Sequence, residues 1–165
     1  MQTAEGLLAR LAAAGIETRT VQHAAVFTVA ESQALRGELP GGHSKNLFLR
    51  EVKSGQFCLA VLEEARQVSI NALARAAGWG KVSMADPQAL LATLGVTPGS
   101  VTPFGLIHAK PGEVRVVLDA ALAQTDGLVW FHPLVNTAST GIHPADLLNF
   151  LRGLGHDVTV LNLPD

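Results

Sequence analysis

The apolar positions of this chain change period several times, and each change marks an element. Leu7, Leu8 and Leu11 recur at helical spacing behind Thr3, so a helix is expected from a Thr3 cap through Ala14, with Gly15 as its stop. Ile16 to Val21 alternates apolar and polar residues and reads as a short strand. Thr28-Val29-Ala30-Glu31 has the form of a capping box and predicts a short helix to about Arg36. Gly37 to Ser44, rich in Gly and Pro, reads as a loop. Asn46–Val52 and Gln56–Leu62, split by Lys53-Ser54-Gly55, predict a β-hairpin.

The second half continues in the same manner. Ser69 opens a helix that Gly78 ends, and Asp86-Pro87 opens another that stops at Gly95. Gly105–His108, Glu113–Leu118, Leu128–His132 and Thr137–Ile142 read as strands. Pro144 to Arg152 is an amphipathic helix with Leu147, Leu148 and Leu151 inward, and Val158–Leu161 is a closing strand. Helices and strands interleave without strict βαβ alternation. The expectation is a single α/β (α+β) domain over residues 1–165, with a mixed, partly barrel-like sheet flanked by helices.

Composition narrows the function classes. The 165 residues are 48% hydrophobic and 16% charged, enough apolar content for a sizeable core. A single cysteine excludes a disulfide framework and a Cys-based zinc site, and Cys58, inside an apolar run, reads as a buried small hydrophobe. The six histidines show no paired ligand spacing, so neither a metal nor a cofactor is expected. Charges break every apolar run, and no leader pattern is present, which makes a soluble cytoplasmic domain the expectation, with no membrane partner. Net charge is −2, which does not suit a duplex-DNA binder. Residues 1–83 nevertheless carry nine Lys/Arg against seven Asp/Glu, a mildly basic half that suits phosphates.

Three segments carry candidate chemistry. Gly41-Gly42-His43-Ser44-Lys45-Asn46 delivers a lysine from a flexible loop into a strand, either solvated or aimed into a cleft. Gly95-Val96-Thr97-Pro98-Gly99-Ser100-Val101-Thr102-Pro103-Phe104 reads as a stiff, non-helical loop, either a connector or a presenter of backbone groups to a small ligand. Trp130-Phe131-His132-Pro133 sets a histidine at a strand end, before Asn136-Thr137-Ala138-Ser139-Thr140. His132 there is either structural or able to orient water, bind an amine or shuttle a proton. No nucleophile elbow is present, and Ser100 is a poor nucleophile. The residues alone support a soluble α/β domain with a small-ligand cleft.

Taken in order, Lys45-Asn46-Leu47-Phe48-Leu49, the Gly95–Phe104 segment, and Phe131-His132-Pro133 with Asn136–Thr140 resemble the prolyl-tRNA editing (YbaK-like) family over essentially the whole chain. Asp146-Leu147-Leu148-Asn149-Phe150-Leu151 fits as well, and Phe-His-Pro resembles the freestanding alanyl-tRNA(Pro) deacylase branch. That resemblance implies a trans-editing hydrolase that clears alanine from tRNA(Pro), with a positioned water assisted by the substrate 2′-hydroxyl. It implies Lys45 at the terminal phosphate or ribose, and Asn46 at that end or at the water. It places His132 at the α-amino group or the water, and the backbone of Gly95, Pro98, Gly99 and Ser100 at the aminoacyl group, with Thr137 and Ser139 lining the pocket. Ile107, Leu106 and Phe27 are guesses for the wall that excludes proline, and Arg10, Arg19, Arg36, Arg50 and Lys53 for acceptor-stem contacts. Mischarged tRNA(Pro) is the implied partner, with transient association with prolyl-tRNA synthetase or elongation factor. Two alternatives stand beside it: a non-catalytic module for a tRNA end or nucleotide, and a deacylase for another small aminoacyl group.

Overall fold

The structure is a computed structural model, and it describes residues 1–25, 34 and 39–163. The Thr28–Glu31 capping box, the helix to Arg36 and Phe27 lie outside the described residues.

Local signals set the helices where the pattern predicts them. Thr3 Oγ1 accepts from Gly6 N at 3.0 Å and opens Ala4–Ala13. Ser69 and Asp86 cap Ile70–Ala77 and Pro87–Leu94 in the same way, accepting from Ala72 N and Ala89 N at 3.1 and 2.7 Å. Gly78 and Gly95 close those two helices at φ +75° and +70°, a conformation that costs a residue with a Cβ but not glycine.

The strands are β1 (Thr18–Gln22), β2 (Gly42–Glu51), β3 (Phe57–Glu63), β4 (Val82–Met84), β5 (Val114–Asp119), β6 (Val129–Phe131), β7 (Ala138–Ile142) and β8 (Val158–Leu161). They form one mixed sheet in the order β1-β7-β6-β2-β3-β5-β8, with β4 also on β2. The predicted hairpin is the antiparallel pair β2–β3. β5 and β8 extend it in parallel on one side, and β7 and β1 extend β6 antiparallel on the other. The path ends at β1 and β8, so the sheet is open and not a closed barrel. The helix Pro144–Gly153 packs Leu147 and Leu151 inward as predicted, with Phe150, while Leu148 is only half-buried.

Three expectations are corrected. Gly105–His108 is not a strand but part of the 3-10 helix Pro103–His108. Thr102 Oγ1 caps that turn at Phe104 N, and Gly105 lies so close to the preceding helix that a Cβ there would meet the Leu94 carbonyl at 2.8 Å. The proline segment before it is not free of helix, since Pro98–Ser100 makes a second 3-10 turn. Nor does the Gly37–Ser44 loop reach Ser44, because β2 begins at Gly42. Its N–H donates to the Leu128 carbonyl at 2.8 Å, and Gly42 and His43 pair with Val129 and Trp130. That partner lies 87 residues on, beyond the reach of a local pattern.

The β2–β3–β5 half of the sheet is apolar on both faces. Phe48, Leu59, Val61, Val116 and Leu118 face the larger core, and Leu49, Cys58, Ala60, Leu62 and Val117 face a smaller one under the helix Ile70–Ala77. Cys58 is fully buried, and burial pushes its thiol up to about 11, as suits an inert hydrophobe.

Candidate active site

The site is built at a fork in the sheet. One edge of β2 pairs with β6 only at Gly42 and His43, then with β4 only from Leu49 to Glu51. Between those two neighbours, no described strand pairs with residues 44–48 on that edge, and Lys45 and Asn46 lie in this gap.

Strand alternation decides which side chains share a face. The register sets His43 beside Trp130, Trp130 beside Gly141, and Ser139 beside Val21. Continued by one residue past Phe131↔Thr140, it puts His132 level with Ser139. Lys45 has the parity of His43 and so shares the face of Trp130, His132 and Ser139. Asn46 has the opposite parity and sits on the side of Phe48 and the larger core. The two neighbours that the sequence pairs in one motif therefore leave β2 on opposite faces.

Each is held differently. Lys45 is half-buried, and its Nζ donates to the Arg66 carbonyl just beyond β3. That carbonyl is itself fixed in place, because the Arg66 guanidinium grips Asp119 at 2.6 Å (Nε–Oδ2) and 3.1 Å (Nη2–Oδ1) and donates to Leu163 O. Asp119 is fully buried, which by itself would raise its pKa. The Arg66 hydrogen bond, with the Glu63 and Ala121 N–H groups, outweighs burial and holds it below the usual carboxylate range. Asn46 Nδ2 reaches Ser44 Oγ at 3.4 Å, while its Oδ1 is buried with no hydrogen-bond partner among the described residues. A buried acceptor left without a hydrogen bond costs about 1–3 kcal/mol, so this oxygen is poised for a donor from a ligand or water.

His132 is half-buried at the end of β6, and its Nδ1 lies 3.1 Å from the Ala138 carbonyl. A carbonyl only accepts, so Nδ1 carries the proton and Nε2 presents a lone pair. Burial holds the imidazole below its ordinary range. The Ala138 bond opposes that shift, and the neighbouring His23 adds to it. His132 is thus a neutral base at pH 7.

The β6–β7 connection that carries it is strained: Leu134 has φ +70° while its side chain is buried in the larger core. Such a conformation costs about 1–3 kcal/mol for a residue with a Cβ, and burial of the Leu134 side chain holds it there. The turn leads into Asn136, whose Nδ2 would be 3.2 Å from a Cβ on Gly99. The exposed Pro98–Gly99 turn therefore meets Asn136. Thr137 is exposed, and its carbonyl accepts from His23 N at 2.9 Å.

Not every predicted residue lies there. Gly95 packs on the His108 ring, where a Cβ would meet Nδ1 at 2.6 Å, and Ser100 is buried. Leu106 is wholly in the core and Ile107 packs against it. Of the guessed RNA contacts, Arg19 lies 5.6 Å over the Trp130 ring, Arg10 lines a groove between Ala14–Ile16 and Asp146–Leu154, Arg50 is exposed near the far end of β2, and Lys53 lies in the hairpin turn. Arg36 lies outside the described residues. His23 was not singled out by the sequence, yet its ring centroid is 6.5 Å from that of His132. Its only sequence signal is a lone histidine following a strand, with Ser139 and His132 more than a hundred residues away.

The described residues contain no group of three or more His, Cys, Asp or Glu able to hold a metal ion. They contain no helix long and apolar enough to cross a membrane.

Known proteins match this arrangement along most of the chain. The family model of the aminoacyl-tRNA editing domain matches residues 23–150. Prolyl-tRNA synthetase associated domain-containing protein 1 of Bos taurus is 40% identical over 156 residues, covering 93% of this chain and 91% of that one. The prolyl-tRNA editing protein ProX of Acetoanaerobium sticklandii is 29% identical over 163 residues, covering 99% of each. A crystal structure described as a candidate trans-editing enzyme for prolyl tRNA synthetase shares the fold, with a TM-score of 0.72 at 22% identity over 99% of each chain. On the family match and on the length and identity of these relatives, the chain belongs to the aminoacyl-tRNA editing domain family and is an aminoacyl-tRNA deacylase.

Proposed function

We propose that the substrate is alanyl-tRNA(Pro), cleaved in trans by a positioned water with help from the substrate 2′-hydroxyl. The observation that carries this reading is His132, a neutral imidazole with its Nδ1 proton committed to Ala138 and its Nε2 lone pair left for a ligand. An aminoacyl ester is already activated, so orientation and fixed dipoles supply most of the acceleration and no nucleophilic side chain is required. Water adds to the ester carbonyl carbon, the bond to the ribose oxygen breaks, and alanine leaves with its carboxylate while the tRNA regains a hydroxyl.

Lys45 supplies positive charge for the terminal phosphate or ribose, exchanging its bond to a neutral carbonyl for one to an anion. Asn46 Oδ1 takes a donor from the water or from the same RNA end through the gap in the β2 edge. The Pro98–Gly99 turn and Thr137 border the aminoacyl side, and Gly95 and Ser100 set that turn in place from beneath. Alanine is favoured over proline by steric exclusion, since an attractive pocket gains little from one methylene. The relatives named for prolyl-tRNA editing and for a prolyl-tRNA synthetase associated domain support tRNA(Pro) as the carrier. The synthetase-associated name also supports transient contact with that synthetase; contact with elongation factor, in the cytoplasm where charged tRNA circulates, belongs to the same proposal.

The test is release of labelled alanine from Ala-tRNA(Pro), beside Pro-tRNA(Pro) and Ala-tRNA(Ala). The wild type is expected to clear the first alone, and Lys45→Ala to lose at least about tenfold, ~1.4 kcal/mol of transition-state stabilisation. Equal clearance of Pro-tRNA(Pro) would remove the specificity assignment. An unchanged rate for Lys45→Ala would remove the lysine from the mechanism.

A further inference from the structure

His23 and Ser139 form a second hydrogen-bonded unit beside His132. The chain leaves β1 with His23 N bonded to the Thr137 carbonyl, so the ring lies over β7. Its Nδ1 is 2.8 Å from the Ala24 carbonyl and its Nε2 is 2.9 Å from Ser139 Oγ. The carbonyl can only accept, so Nδ1 donates to it. In the uncharged imidazole, Nε2 is then an acceptor and takes the Ser139 hydroxyl proton. That proton is the only one Ser139 has, so Oγ is left with lone pairs and nothing to donate.

His132 is fixed to the same strand in parallel fashion. Its Nδ1 proton goes to the Ala138 carbonyl, one residue before Ser139, and its Nε2 is likewise an acceptor. Continued one residue past Phe131↔Thr140, the register brings His132 level with Ser139, where paired Cβ atoms lie about 4.5–5.5 Å apart, and the His23 ring bonded to Ser139 lies 6.5 Å from that of His132. Two side chains on one face thus offer acceptors and no donors. Such a pair suits a ligand group rich in donors and positive in charge, and burial of Ser139 and of much of His132 strengthens that preference.

We propose that Ser139 Oγ and His132 Nε2 together form the subsite for the α-ammonium group of the aminoacyl ester, and that His23 is a positioning residue that keeps Ser139 as an acceptor. The inference rests on the deacylase reading and deepens it. It makes the free amino group a requirement of recognition, so that an α-hydroxy acyl ester of the same size is rejected.

The probe is lactyl-tRNA(Pro), in which a hydroxyl replaces the amino group, compared with alanyl-tRNA(Pro) on the full chain. Each enzymatic rate is divided by the buffer rate of the same ester, which removes the intrinsic activation by the ammonium. For the wild type, normalised kcat/KM is expected to be at least about 100-fold higher for the alanyl ester. Ser139→Ala and His23→Ala should shrink that ratio to about tenfold, by raising KM far more for the alanyl ester than for the lactyl ester. His23→Gln, whose Oε1 can accept the Ser139 proton, should restore most of the ratio, which a merely structural role would not allow. Equal normalised rates for the two esters in the wild type would overturn the subsite while leaving the deacylase reading intact. So would His23→Ala lowering both rates by the same factor. Absence of release from alanyl-tRNA in every variant, wild type included, would overturn the deacylase reading and the subsite with it.

Discussion

The two halves of the sheet use the same alternation of side chains for different ends. In β3 and β5 both faces are covered, with Leu59, Val61, Val116 and Leu118 in one core and Cys58, Ala60, Leu62 and Val117 in the other. In β6 and β7 only one face enters a core, through Val129, Phe131 and Ile142. The other face carries Trp130, His132 and Ser139, with His23 laid across it. A strand buried twice has no position left for chemistry. A strand with only one face in an apolar core can hold polar groups on the other, even where residues there such as Trp130 and Ser139 are buried too. β2 belongs to both halves, and the site sits where it passes from one to the other.

Substitutions on the two halves should therefore separate activity from stability. The largest effect is expected at His132. His132→Ala should lower single-turnover deacylation by about 10²-fold, the usual cost of misplacing the reacting group once the acceptor for its α-ammonium is lost, while thermal unfolding shifts little. A large loss of melting temperature with activity retained would reverse the roles assigned to the two halves. On the doubly buried side, Leu59→Ala should cost about 2–5 kcal/mol of unfolding free energy by denaturant titration, with the rate of the folded fraction kept.

The Arg66–Asp119 pair joins the halves, since it fixes the carbonyl that holds Lys45. Asp119→Asn removes the carboxylate charge that the largely buried Arg66 guanidinium grips and should destabilise the fold by about 3–5 kcal/mol. Because Asp119 is held below the usual carboxylate range, its contribution is present above the unfolded value near 4 and is lost as pH falls through the folded value. An acid-unfolding midpoint that Asp119→Asn leaves unmoved would remove this link.

The pH dependence of the rate sharpens the comparison further. His132 is held below its ordinary value near 6.5, so its neutral form persists to lower pH than a free imidazole. The acid limb of single-turnover deacylation should lie below 6.5, and His23→Ala should move it upward, because the neighbouring His23 adds to the lowering. The matching stability term is present above the unfolded histidine value and fades as pH falls through the folded one. The smallest effect is expected at Gly99→Ala, where a Cβ would meet Asn136 Nδ2 at 3.2 Å. A few-fold rise in KM without loss of stability is the outcome that fits a turn bordering the substrate.

Much of this was legible along the chain because the signals are local. Thr3, Ser69 and Asp86 cap helices through bonds to residues three positions on, and Gly78 and Gly95 end them through their own φ. The β2–β3 hairpin and the burial of Cys58 follow from alternation over a few residues. Gly105–His108 misled because a four-residue apolar run fits a strand or a helical turn equally, and the Leu94 backbone pressed against Gly105 decided between them. Val82–Met84 was too short to stand out, and it is a strand only because β2 offers it an edge.

For the site, the sequence by itself determined the chemical inventory: a lysine entering a strand, a proline–glycine turn, and a histidine followed by small hydroxyls. Tertiary structure alone decided which of these face one another. Lys45 and Asn46 are adjacent in sequence but leave β2 on opposite faces, because side chains alternate and the neighbouring strands fix the register. His23 and Ser139 are 116 residues apart and share a hydrogen bond, because β1 and β7 are paired. The protonation pattern of His132 likewise comes from the Ala138 carbonyl and from burial, which no neighbour in the sequence supplies.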